Sequence, residues 1–239
     1  MTTAARSPEP ANFAQGELDT KTRLLDAAEC LFAERGYEGS SMRAITKAAG
    51  ANVSAANYHF GSKDELIRAT LLRRIEPLNQ RRLEALEALE NAARGAPIEV
   101  ESLVEAYLRP IFEASHSAGP GPEGFRRVAA RLVSDPHPVL ASLKTELFRP
   151  LAERYFGALS RSLPGVPRED LALGFALSLG VTMHAVSGHL ELFLSHAGCE
   201  PVVDEEAVFR RMVSFAAAGL RAGGHGAPIA ALREGGVDS

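Results

Sequence analysis

Asn57, Tyr58, His59 and Lys63 fall within seven residues, with Ser41 and Arg43 shortly before them. An amide such as Asn57 donates and accepts at once, the pattern that pairs bidentately with the edge of adenine. The methyl group of Ala55 can meet a thymine methyl. The Lys63 ammonium, beside the unpaired N–H groups of a helix start, suits a phosphate. Together these residues could read and grip a nucleic acid, provided that local structure turns them outward.

The elements that must position them can be read from capping residues and spacing. Thr20 is placed to cap a helix over Lys21–Arg35, with Leu24, Ala28, Leu31 and Phe32 on one face. Gly36 stands where a left-handed C-terminal residue belongs. Ser41 can cap a short helix, Met42–Ala49, which Gly50 ends. Asn52 can cap a third, about Val53–Phe60, whose outward positions are Val53, Ser54, Ala55, Asn57 and Tyr58. Gly61-Ser62 breaks the chain and recaps it, and a fourth helix begins at Lys63 with Asp64 and Glu65 in its first turn. Two short helices joined by a tight glycine turn form a helix-turn-helix pattern, and its second helix would enter the major groove.

The residue string is more specific than the spacing. Leu24-Leu25-Asp26-Ala27-Ala28, Leu31-Phe32, Gly36-Tyr37, Ser40-Ser41, Ala49-Gly50, Tyr58-His59-Phe60 and Ser62-Lys63-Asp64-Glu65-Leu66 stand in order at fixed offsets. Over residues 20–66 the chain resembles the TetR family of transcriptional regulators. The resemblance implies that Tyr58 and His59 form the aromatic–histidine pair that meets the DNA backbone, and that Arg43 reaches a base edge. The plain alternatives are a core role for Tyr58, Phe60 or His59 and a solvated Arg43. Ala51 departs from the family's usual branched apolar residue, and Val53 and Ala55 are less polar than many base readers. Specificity then leans on Arg43, Asn57 and DNA shape.

Charge agrees with that reading. Thr20–Arg82 holds 11 Lys and Arg against 7 Asp and Glu, whereas residues 83–239 hold 14 against 20. A basic head on an acidic body is the footprint of a DNA-binding end. Ala and Leu total 68 residues against 28 Val, Ile and Thr, so an all-α fold is expected. The domain reading is an arm over 1–19, a DNA-binding domain over 20–66, a helical regulatory and dimerisation domain over 67–222, and a flexible tail over 223–239. Further helices are expected at Pro77–Arg94, Ile98–Ser117, Phe125–Ser134, Pro138–Leu163, Glu169–His196 and Glu205–Arg221. Pro110 and Pro150 each predict a kink or break.

Other chemistries find little support. Gly119-Pro120-Gly121-Pro122-Glu123-Gly124 fits a phosphate-loop pattern literally, but no strand precedes it and its prolines lack N–H groups, so a loop is expected. His184 and His189 miss the i, i+4 spacing of a helical metal pair. Ser, His and Asp are nowhere ordered as a nucleophile elbow, so neither an enzyme nor a cofactor is expected. Two distant cysteines, Cys30 and Cys199, and the absence of an apolar leader suggest a reducing cytoplasm. Leu171–Leu190 lacks Asp, Glu, Lys and Arg. Its Gly, Ser, Thr and His content nevertheless suits a buried helix rather than a membrane span.

The family resemblance implies that the body binds a small molecule and dimerises. Tyr107, Phe112, Phe148, Phe156, Met183 and Phe193 could line a cavity, and Arg127 and Arg131, one turn apart, could meet a ligand carboxylate. Plain core packing and surface ion pairs are the alternatives. Arg81-Arg82-Leu83 and Met212–Leu220 resemble the branch that senses fatty acids or acyl derivatives, which implies release from operator DNA by an apolar effector. The homodimer is expected through the last two long helices, with Phe175 and Leu179 at the interface and Gly174, Ser178 and Thr182 allowing close approach. A constitutive dimeric DNA binder whose body takes no ligand is the competing reading.

Overall fold

The computed structural model describes residues 10–116, 121–186, 194–198 and 204–223. Within them the regular structure is helical: α1 Pro10–Gly39, α2 Met42–Ala48, α3 Val53–Phe60, α4 Lys63–Ala93, α5 Val100–His116, α6 Gly121–Ser134, α7 Pro138–Ser162, α8 Arg168–Val186 and α9 Glu205–Ala222. No helix among the described residues is long and apolar enough to cross a membrane.

Several boundaries differ from expectation for simple reasons. Residues 10–19, read as an arm, are helical; Pro10 needs no N–H partner in the first turn, and Ala, Gln, Glu and Leu follow it. Thr20 is consequently an interior residue and not a cap. Lys63–Ala93 is one helix running through Pro77, which forfeits only the bond that an N–H there would give to the Arg73 carbonyl. Helices α5 and α7 likewise continue through Pro110 and Pro150. Helix α6 begins at Gly121, inside the stretch expected to be loop, because Pro122 suits a first turn. Residues 187–193 of the expected Glu169–His196 helix and most of the tail lie outside the described residues.

Contacts divide the chain into two units: Met1–Ile75 with Arg127–Leu143, and Glu76–Arg126 with Lys144–Ser239. Helices α4, α6 and α7 each contribute residues to both.

In the first unit, Leu24, Ala28 and Phe32 of α1, Ile45 of α2, Ala56 of α3 and Leu66, Ile67 and Leu71 of α4 are fully buried. Val128, Leu132 and Leu140 from the α6–α7 segment are buried too. Each such Leu or Phe contributes on the order of 2 kcal/mol by leaving water. An ionic clamp ties α1 to α4: Glu29, 7% exposed, takes Arg73 at 2.7 Å and Arg74 at 2.6 Å. Gly36 breaks α1 at φ 69°, a backbone conformation that favours glycine, and a Cβ there would crowd the Asp135 carboxylate at 3.0 Å.

The core of the second unit gathers Leu86, Leu103, Val104, Tyr107, Tyr155, Leu159, Phe209 and Leu220. Helix α8 corrects the interface reading. Ser178 and Thr182 are buried within the chain, and a Cβ at Gly174 would lie 3.0 Å from Leu220 of α9. Phe175 and Leu179 pack against the same core. The small residues do allow close helix approach, but the neighbour is the chain's own α9. The outward apolar residues are Leu173, 47% exposed, Leu177, 61%, and Phe215 of α9, 66%.

Candidate nucleic-acid interface

The helix-turn-helix is built by short polar caps. Ser41 Oγ accepts the Ala44 N–H at 3.2 Å and starts α2. Buried Ser40 donates to the Gly36 carbonyl at 2.7 Å, joining the end of α1 to the start of α2. The turn passes through Gly50 at φ 60°. Arg23 of α1 donates to the Ala49 carbonyl at 3.0 Å and so pins that turn from outside the motif. Asn52 Oδ1 then accepts the Ala55 N–H at 2.7 Å and starts α3.

One small residue seats α3: Ala56 is fully buried, whereas Val53, Ser54, Asn57 and Tyr58 are exposed. Tyr58, 75% exposed, presents nearly its whole ring, which excludes a core role. Ala55, His59 and Phe60 are half-buried, and the rings of Tyr58 and His59 meet edge to face at 5.2 Å. Arg43 and Ser41 are exposed on α2 and its cap. The Ser41 hydroxyl still has its proton to donate while its oxygen caps the helix.

Lys63 is less free than its spacing suggested. Its Nζ lies 3.9 Å from the centroid of the Tyr37 ring, and the Tyr37 hydroxyl donates to Asp64. Burial and that carboxylate push the Tyr37 hydroxyl above the usual tyrosine range. Ser62 takes the Glu65 N–H at 3.2 Å, so part of the expected anion-binding helix start is already satisfied.

A brace absent from the sequence reading holds this unit from behind. Asp135 accepts the Tyr37 backbone N–H at 3.0 Å, and the His137 ring stacks on Tyr37 at 3.8 Å. That backbone N–H bond holds the Asp135 carboxyl below the ordinary aspartate range. Arg131, expected as a ligand anchor, donates from Nη2 to the Glu34 carbonyl at 2.9 Å and from Nε towards the Ala33 carbonyl at 3.3 Å. It thereby caps the C-terminal end of α1, where its charge suits the helix dipole. Arg127 is exposed and belongs to the same unit.

Residues 24–70 match the profile of the bacterial regulatory proteins, tetR family, and residues 105–219 match the tetracyclin repressor-like C-terminal domain. The chain belongs to the TetR family. One relative of this TetR chain is the HTH-type transcriptional repressor KstR2 of Rhodococcus jostii, 34% identical over 113 residues, 47% of this chain and 52% of that protein. Another is the HTH-type transcriptional regulator UidR of Escherichia coli, 37% identical over 70 residues, 29% of this chain and 36% of that protein. The chain thus spans about half or less of these relatives' length. Among solved structures, a regulator from Pseudomonas aeruginosa superposes with TM-score 0.59 at 18% identity, covering 86% of this chain and 91% of that one. The fatty acid degradation regulator FadR from Bacillus halodurans gives 0.54 at 15%, covering 90% and 99%. Both are likenesses of fold.

The TetR chain's second unit brings together only some of the expected lining. Tyr107 and Phe112 are buried, and Phe156 and Met183 pack against the same core. The rings of Tyr107 and Phe156 both meet Phe175, at 4.4 and 5.3 Å. Phe112 lies instead on Phe209 at 4.8 Å, Phe148 is half-buried outside this cluster, and Phe193 lies outside the described residues. Sequence reasoning missed Tyr155, Phe175 as a core residue and, above all, Arg82, which is 2% exposed. The signal for Arg82 was available: Leu71, Ile75, Leu78, Arg82 and Leu86 follow one another at three- and four-residue steps, putting the arginine on the apolar stripe of α4.

Proposed function

We propose that this chain is a homodimeric transcriptional repressor that grips operator DNA with α2 and α3 and is released by a small apolar effector such as an acyl compound. The observation that carries the reading is α3. Its polar caps and buried Ala56 support a short, rigid helix whose Asn57 and Tyr58 stand in solvent, on the basic part of the chain. In this role Asn57 and Arg43 read base edges, while Ala55 and Val53 touch methyl groups. Ser41, Ser54, Tyr58, His59 and Lys63 hold the backbone.

One such motif makes few base contacts, so two-fold pairing on a palindromic site is required for tight binding. Leu177 and Phe215, both well exposed on α8 and α9, favour pairing through these two helices. The effector acts on the second unit, and α4, α6 and α7, which enter both units, carry its effect to α3. A coupling of about 1–3 kcal/mol is typical of such switches. The acyl class draws its support from the aromatic and aliphatic surroundings of Tyr107, Phe156 and Met183.

The test is operator binding by fluorescence anisotropy while acyl compounds, aromatic drugs, a sugar and metal ions are titrated in. Release by apolar compounds alone is expected. Release only by the sugar or a metal would overturn the effector class, and no release by anything would favour a constitutive binder.

A further inference from the structure

Arg82 carries a charge into the core of the second unit, where no carboxylate among the described residues meets it. Its Nε donates to the Tyr107 carbonyl at 2.8 Å and its Nη1 to Asn79 Oδ1 at 3.0 Å. The guanidinium carbon lies 4.2 Å from the centroid of the Tyr107 ring. A guanidinium has five N–H groups, so these two bonds leave three to be used.

Other arginines of this unit are treated differently. Arg81, its sequence neighbour, meets Glu113; Arg109 meets Glu206; Arg221 meets Glu101. All of these pairs are far more exposed than Arg82, yet among the described residues no Asp or Glu pairs with it. Burial pulls the Arg82 guanidinium below its ordinary value, and only the two nearby tyrosines oppose that. A cation kept in so dry a place is normally neutralised by a partner.

The surroundings indicate what the partner looks like. The Tyr107 ring meets Tyr155 at 5.0 Å and Phe175 at 4.4 Å, and Phe156 completes an aromatic wall against Phe175 at 5.3 Å. The Tyr155 hydroxyl donates to the Arg82 main-chain carbonyl at 2.8 Å and so ties the same aromatic group to α4.

We propose that Arg82 receives the anionic head of the effector, which makes the effector class an amphipathic monocarboxylate with its apolar body against Tyr107, Phe156 and Phe175. A carboxylate presents two acceptors to the guanidinium fork and supplies the missing charge in one step. The inference rests on the effector-released reading above and replaces Arg127 and Arg131 as the anchor. A purely structural Arg82, bracing α4 on the Tyr107 carbonyl, would give no preference for an acid over its neutral counterpart.

The experiment is calorimetric titration of the full-length protein with decanoate and decanamide, and with 4-phenylbutyrate and its amide. In the unmodified protein each acid is expected to bind about tenfold or more tightly than its amide. Arg82→Gln should bring each pair within about twofold while amide affinity holds. Arg82→Lys, which keeps a point charge but loses the fork, should give an intermediate preference, and it serves as the readout where Arg82→Gln does not fold. Acids and amides binding the unmodified protein equally, or a preference unchanged in these variants, would overturn the anchor while leaving the effector reading intact. Binding by none of the four, together with no apolar compound releasing the operator, would overturn both.

Discussion

At the scale of single residues, the α3 surface follows from two caps and one seat. Asn52 fixes where the helix starts, Ala56 fixes which side faces the core, and Val53, Ser54, Asn57 and Tyr58 fall outward by the helical period. Reading and gripping should therefore separate experimentally. Asn57→Ala is expected to cost roughly 1–3 kcal/mol on the operator and to relax preference at one base pair. Lys63→Ala should weaken operator and random DNA alike and flatten the salt dependence, by less than a fully free lysine would because its ammonium also rests on Tyr37. Titrations on both DNAs at two salt concentrations would decide; identical behaviour of the two variants would contradict the division of roles. Sequence exposed this surface well, because caps and period are local. It did not expose the Tyr37–Lys63 contact, since nothing within either segment announces a partner that folding brings in.

At the scale of elements, two devices hold the DNA-binding unit together. The first is Glu29 between Arg73 and Arg74, nearly buried on the acid's side and about one-third exposed on the arginines' side. Glu29→Ala leaves Arg73 with Asp26 and takes from Arg74 the carboxylate it holds here, and should cost about 1–2 kcal/mol in denaturant unfolding; a loss below about 0.5 kcal/mol would show that the clamp contributes little. The second is Asp135 on the Tyr37 N–H. Its folded-state pKa is depressed, so its stabilisation is present above the unfolded value of about 3.9 and fades as pH falls through the folded one. Asp135→Asn should therefore destabilise the protein near neutral pH, on the order of 1 kcal/mol, with the gap to the parent closing below about pH 4. A gap independent of pH in urea midpoints would refute that account. Helix type and approximate extent were legible from period and caps. Helices are expected across Pro110 and Pro150 already, with a kink or break there, but the continuation through Pro77 was not legible, because packing on both sides of that proline outweighs one lost hydrogen bond. The grouping of residues 127–143 with the N-terminal unit was equally hidden, as it depends on long-range pairs such as Asp135 with Tyr37.

At the scale of the whole molecule, the account requires pairing. The uncharged run in α8 announced a buried helix, but period alone could not say which side belongs to the chain's own core. Gly174 against Leu220 decides that, and leaves Leu173, Leu177 and Phe215 facing outward. Leu177→Asp with Phe215→Asp should give folded monomers by sedimentation at micromolar concentration, whereas Phe175→Asp should unfold the second unit by placing a charge among Tyr107 and Phe156. Dimers persisting in the first variant would move the interface elsewhere. All these roles converge on one claim, that the chain recognises a DNA sequence through α3 of two paired copies. Footprinting the full-length protein on the DNA beside its own gene, with and without Asn57→Ala, tests this most directly. The account predicts protection of a palindrome whose half-sites lie about 34–36 Å or a multiple apart, weakened in the variant; uniform binding to all DNA, with Asn57→Ala indistinguishable from the parent, would contradict it.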